Sequence, residues 1–493
     1  MKEQILQPAA DVWRRHCAAL GETLAETVDG LENLLRLDEY HRHGHEPDRL
    51  QSALGPLAAA SLDVDSLSQV LGKSTRSRAM PPERLVRVRE LIPKLVELKE
   101  AWPDVPLDRA LIELDTNHGE IHERAEAHFN QLAQVFRAVR IAQLEIRAKY
   151  DTQVHDAGFA DFDWRQLGPG ELRACPPFLV IARLDGCDGA RLRSVMALLE
   201  TGMPIKVLAL RSSVCEAASG AGGTAVPSRM TIETLPLAMR GVYLLQTHSA
   251  ASGFQAQLSQ ALTVPRPGVI SVFCPRHGEA ENAFQTRAER AVRARAVPMC
   301  VYDPDRDDRF VMCFDLSSNP SVDVLWTTDK LTGRDSQGEP VEVDEPFTLA
   351  HFAASEPELA TELADPPERT DTLVPLVDFL RLSRHQQVGK LPFISLAAEE
   401  GTIVRKVVSR KLAAQCAERL HLWQTLREIS GIDNPHVNTT RTTLQRELGA
   451  ERDAQIESLR QNMEKDATSR ERAAVASAVR KLVARLTGIE PQN

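Results

Sequence analysis

The chain has no run of roughly 18–20 apolar residues, the length a helix needs to span a bilayer. Its opening, MKEQILQPAADVWRRHCAAL, is polar where a secretory leader needs an apolar core. A cytoplasmic protein without a membrane span is the expectation. None of the eight cysteines (Cys17, Cys175, Cys187, Cys215, Cys274, Cys300, Cys313, Cys416) falls in a C-x-x-C pair, so neither a zinc knuckle nor the ligands of an iron–sulfur cluster are visible. Scattered, buried, reduced thiols are the reading instead. A basic stripe is also missing. The 59 Lys and Arg are interleaved with 69 Asp and Glu, for a net charge of −10, which argues against nucleic acid as a partner.

What is present is a chain of 493 residues, 43% hydrophobic, long enough for two or three domains. Residues 1–168 read as a helical module. In HGEIHERAEAHFNQLAQVFRAVRIAQLEIRAKY, the residues Ile121, Ala125, Phe129, Leu132, Phe136 and Val139 recur at three- and four-residue steps and share one face. PPERLVRVRELIPKLVELKEAW repeats the pattern, with Pro93 expected to kink or divide it. Residues 169–345 change texture to short apolar runs bounded by Gly and Pro: FLVIARL, PIKVLAL, GVYLLQ, GVISVFC and VPMCVYDP. Such runs, separated by helical stretches, are those of strands buried on both faces of a parallel sheet, so the fold class is α/β with helical flanks. After GRDSQGEPVEVDEP, read as a polar connector, residues 346–493 are helical in texture. The terminal segment carries Leu444, Leu448, Ile456, Leu459 and Met463, then Val475, Val479, Leu482 and Leu486, with EKDATSRER between the sets. Two amphipathic helices or one bent helix are expected, with apolar faces that need a partner in this chain or another.

The stretch ARLDGCDGARLRSVMALLETGMPIKVLAL brings Asp185-Gly186 to the end of one buried strand, and the next strand ends at Arg211-Ser212-Ser213-Val214. Helix N-termini and free amides converge at such ends. Asp185, the Ser212 hydroxyl and the Val214 carbonyl could form an oxygen set for a divalent ion that bridges a diphosphate. Downstream, Ser219–Thr224 (SGAGGT), with Gly222 and Gly223, reads as either a phosphate cradle or a loop; no G-K-[ST] follows.

These motifs, in order, resemble the thiamine-diphosphate-binding domain of the pyruvate:ferredoxin (2-oxoacid:ferredoxin) oxidoreductase family. That family places G-D-G after a buried strand, then a helix, a strand and a D-T-E-x-Y-S-N-T-G-G loop; here the pieces read LDG, LLETG, IKVLAL and RSSVCEAASGAGG. GVYLLQTHSAASGFQAQLSQAL, VPRPGVISVFCPRHGE, AVRARAVPMCVYDP and FVMCFDLSSNP are similar to later segments of the same domain. The resemblance implies thiamine diphosphate and Mg2+ as cofactors, held at Asp185, Gly186, Ser212, Val214, Gly222 and Gly223, with Asp185, Ser212 and Val214 on the metal.

The motifs are eroded. Leu184 stands for the first Gly of G-D-G, AASGAGG lacks the loop's Asn, and DFDWRQLGPGELRACPP lacks the family's Cys-x-Gly-Cys-Gly-Glu element. The family's chemistry also needs a second domain that carries an activating carboxylate, so the chain is incomplete as an enzyme of that kind. Three readings follow: a subunit of an oxidoreductase-like assembly with a degenerate site and a structural or regulatory role; a catalytic half-site completed by a partner subunit; and a scaffold acting through its helical ends. All involve other protein subunits, or a homo-oligomer.

Other constellations are weaker. EYHRHGHEP offers His41, His43 and His45, and NHGEIHERAEAH offers His118, His122 and His128, as metal ligands or as ordinary surface and core residues. Cys274 and His277 are too close along the chain for an easy nucleophile–base pair. RLHLWQTLREISGI reads as a packed helix that ends at Gly431.

Overall fold

The computed structural model describes residues 2–59, 62–75, 79–102, 107–114, 118–183, 189–214, 231–334, 339–367, 371–398 and 401–487. The chain divides into two compact units, Met1–Ser430 and Gly431–Asn493.

The first unit is built on a seven-stranded sheet of β1 (Leu111–Glu113), β2 (Leu179–Arg183), β3 (Lys206–Arg211), β4 (Tyr243–His248), β5 (Gly268–Phe273), β6 (Cys300–Tyr302) and β7 (Phe314–Asp315). Its order is β1-β2-β3-β5-β4-β6-β7. The fold is mixed α/β, a central sheet flanked by helices. The first five strands in that order run parallel, and the apolar runs of the sequence become β2, β3, β5 and β4, which bring their Val, Leu and Ile side chains into the core.

Register sorts those side chains. Val180, Val207, Val269 and Leu244 join one core cluster, and Leu179, Leu208, Ile270 and Leu245 join another on the opposite face. Alternate residues of a strand point to opposite faces. Helices cover both faces, so neither needs polar residues.

The N-terminal helices belong to the same core as the sheet. Helices α1 (Lys2–His43), α2 (Pro82–Ala101) and α3 (His118–Ile146) place Leu20, Leu24, Leu31, Leu91, Leu95, Phe129 and Leu132 in the first cluster, together with Val180 and Val207. All six positions expected on the buried face of α3 are buried. Pro93 neither divides nor ends α2. Residue 89, whose carbonyl loses its helical donor to the proline, is exposed, while Leu91 and Leu95 anchor the turns on either side.

Four features differ from the sequence expectation. Strand β1 comes from the segment read as wholly helical; at three residues it is too short to show a period. Strand β6 runs antiparallel to β4. The preceding helix, here α5 (Glu281–Arg293) after α4 (Phe254–Thr263), buries Phe284, Ala288 and Ala291 with Phe273 at the strand end, so the chain re-enters the sheet from that end. The supposed connector is an antiparallel ribbon of β8 (Thr327–Arg334) and β9 (Pro340–Phe347), polar because most of its residues are at least partly exposed. The region from 346 also holds a four-stranded sheet of β10 (Leu363–Ala364), β11 (Leu373–Pro375), β12 (Leu391–Ala397) and β13 (Ile403–Val408). β10 and β11 are too short to show a period, β13 is interrupted by Arg405 and Lys406, and β12, LPFISLA, is an apolar run that the reading passed over.

Helix α6 (Arg410–Ile429) closes the first unit. Its Ser409 side chain caps the start, and Gly431 takes a left-handed φ of 75° just past the end. Trp423 is fully buried, donates from Nε1 to the Val324 carbonyl at 3.1 Å, and lies under the Arg295 guanidinium at 4.1 Å.

The second unit is one continuous helix, α7 (Pro435–Thr487). At 1.5 Å per residue its 53 residues extend about 80 Å. The expected break is absent because EKDATSRER contains neither Gly nor Pro, and Arg460 and Glu464 pair along the helix at 3.6 Å. Among the described residues no helix is long and apolar enough to cross a membrane.

Candidate functional site

The carboxyl ends of β2, β3, β5 and β4 lie side by side, at Arg183, Arg211, Phe273 and His248. This is the edge where a parallel sheet with a change of strand order presents a binding crevice. Asp185, Gly186, Gly222 and Gly223 lie outside the described residues. Ser212 and Val214 are described, and what surrounds them is a network of side-chain charges.

Arg287, from α5, is its centre. Its Nη1 donates to the Ser212 carbonyl at 3.0 Å and its Nη2 to the Cys274 carbonyl at 3.2 Å. Nε and Nη2 also donate to the two oxygens of Glu279, both at 2.7 Å. The guanidinium lies over Phe273 at 4.6 Å and Phe284 at 5.4 Å, and the residue is 7% exposed. A planar fork is suited to satisfy two carbonyls and a carboxylate at once.

Glu356, 2% exposed, accepts from Arg276 and lies 3.8 Å from Arg287. Burial pushes its carboxyl upward against the pull of Arg276 and Arg287. Glu279 moves the other way. Burial raises it, but hydrogen bonds and charge from Arg287, with help from Arg276, outweigh burial and hold it below the usual range. Ser213 donates from Oγ to Glu358 at 3.0 Å, and Val214 is buried among Phe284, Phe347 and Ala350.

A second set lies on the other part of the edge. Glu233, 5% exposed, accepts from Ser271 Oγ at 2.9 Å and pairs with Arg211 at 3.1 Å. Burial opposes its ionisation, and the charges of Arg211 and Arg419 overcome that and lower its pKa. Burial lowers the pKa of His248, with Glu289 pulling the other way. A His248 held neutral has a weak claim as an acid.

At the described part of this edge the Ser212 carbonyl accepts from a fixed guanidinium, and the nearby carboxylates of Glu279 and Glu356 are paired with Arg287 and Arg276. Among the described residues no group of three or more His, Cys, Asp or Glu is placed to hold a metal.

Sequence reasoning reached Ser212 and Val214 but missed Arg287, Glu279, Glu356, Arg211 and Glu233. The available signals were a charge on the apolar face of a helix, between Phe284 and Ala288, and polar Ser271 and Gln246 inside otherwise apolar strands.

The remaining constellations are separate. His41 and His43 lie on the last turn of α1, two residues apart and so on different sides, while His43 pairs with Glu46 at 2.7 Å. His128 is packed among Trp13, Trp102, Phe129 and Phe178 and bonds the Pro176 carbonyl from Nε2 at 3.1 Å. Burial drives its pKa down to about 4, only partly offset by that bond. It is a core histidine, and His122 faces Glu126 at 3.9 Å instead. Cys274 is buried with Sγ turned to the Val272 carbonyl, whereas His277 is exposed, so the two form no catalytic pair. All six described cysteines are buried and unbridged. No protein-family model matches the chain, and no curated protein matches it either.

Proposed function

We propose that this chain is a subunit of a 2-oxoacid:ferredoxin oxidoreductase-like assembly, in which a domain of thiamine-diphosphate type acts as a structural or regulatory element and not as the catalyst. Support comes from the ordered run of motifs between LDG and FDLSSNP, and from their erosion at Leu184, at the missing Asn and at the missing cysteine element. The observation that carries the reading is Arg287. Its guanidinium bonds the carbonyls of Ser212 and Cys274 and is neutralised by Glu279. A cation covalently attached to the fold thus stands beside the β3 end. Such a clamp ties the ends of β3 and β5 to α5 and, through Arg276 and Glu356, to the segment that precedes β10.

The test is cofactor content. Protein purified under native conditions, acid-extracted and assayed for thiamine diphosphate by fluorescence after oxidation to thiochrome, should contain far less than one equivalent. A tightly held equivalent would refute the proposal.

A further inference from the structure

Helix α7 leaves two apolar seams in the open. Ile456, Leu459 and Met463 form one, and Val475, Val479 and Leu482 the other; all six are 55–73% exposed. Both follow the three- and four-residue steps of a coiled-coil seam. At 100° per residue, the mean directions of the two seams differ by about 130° round a straight helix, so one straight partner cannot cover both.

The seams match each other. With two copies antiparallel and residue 456 of one set against 482 of the other, Ile456 meets Leu482, Leu459 meets Val479, and Met463 meets Val475. The flanking charges agree: Asp453 falls opposite Arg485 and Asp466 opposite Arg472, and no like charges are opposed across 452–466. Pairing the second seam with its own copy would instead set Arg480, Lys481 and Arg485 each opposite itself in parallel, or Arg485 opposite Arg472 in the antiparallel register that sets Val475 against Leu482.

We propose that the protein self-associates through α7, the Ile456–Leu459–Met463 seam of one copy receiving the Val475–Val479–Leu482 seam of a second copy in antiparallel orientation. The contact is heterologous. Each copy keeps one seam free after the first contact, so association continues past the dimer.

Sedimentation equilibrium of the full chain tests this. The weight-average mass should rise with concentration beyond twice the monomer. Leu459→Asp and Val479→Asp should each be monomeric alone, since each retains one seam and lacks its receptor. Mixed, they retain one intact seam of each kind and should form a capped 1:1 dimer and nothing larger. Asp466→Arg in the Val479→Asp chain should weaken that dimer at least tenfold, and Arg472→Asp in the Leu459→Asp chain should restore it. A wild-type chain monomeric at all concentrations overturns the proposal. So does self-association of either single variant, which would mean like-with-like pairing, or a mixture that stays monomeric.

Discussion

Removing the Arg287 side chain beyond its stem, as in Arg287→Met, should be among the most destabilising single changes in the first unit. The substitution keeps much of the aliphatic volume over Phe273 and Phe284 but takes from Glu279 and Glu356 their shared cation and removes one donor each from the carbonyls of Ser212 and Cys274. Breaking a buried ion pair by removing one partner costs about 3–5 kcal/mol. Each carbonyl that loses this donor adds a further penalty of about 1–3 kcal/mol at most, but contacts in one network do not add, so about 4 kcal/mol is the working value. Arg287→Lys retains the charge and loses the fork, and should cost about 2 kcal/mol. Pairing Arg287→Met with Glu279→Gln removes the stranded charge and should recover at least about 1 kcal/mol. Urea unfolding followed by tryptophan fluorescence reads the first unit, because all five tryptophans lie within residues 1–430. With a slope of about 3 kcal/mol per molar, the midpoint of Arg287→Met should fall by about 1.3 M. A shift under about 0.3 M, or no recovery in the double variant, would refute the reasoning that this cation organises the strand ends.

Two further predictions concern the core. The His128 pKa of about 4 against an unfolded value of 6.5 means that the folded state favours the neutral ring. Its stabilisation is complete above pH 6.5 and is lost as pH falls toward 4, by about 2 kcal/mol at pH 5; His128→Phe should flatten that part of the stability–pH curve, and an unchanged slope would contradict it. Trp423→Ala removes a fully buried indole, its bond to Val324 and its stacking on Arg295, and should cost about 3–5 kcal/mol by thermal or urea unfolding. A change below about 1 kcal/mol would refute the core assignment of α6.

The parts of the fold legible in the sequence were those with one dominant environment. Strands β2, β3, β4 and β5 are buried on both faces and read as apolar runs, while α3 has one buried face and reads at helical spacing. β1, β10 and β11 are two or three residues long and carry no period, and β8–β9 is polar because it is exposed. The position of Ser212 and Val214 just past a strand end was legible because turn chemistry follows a strand locally. Arg287 was not, because beyond Glu279 and Cys274 its partners lie 75 residues back at Ser212 and, for Glu356, in a different segment altogether. Long-range charge pairing leaves no mark on local periodicity beyond a lone arginine on an apolar face.

The most direct measurement of the central claim is calorimetric titration of the purified chain with thiamine diphosphate in the presence of Mg2+. The Arg287 clamp predicts no binding heat up to millimolar ligand, and the same silence in Asp185→Ala. Micromolar binding that Asp185→Ala abolishes would contradict it, and would make the strand ends a working half-site.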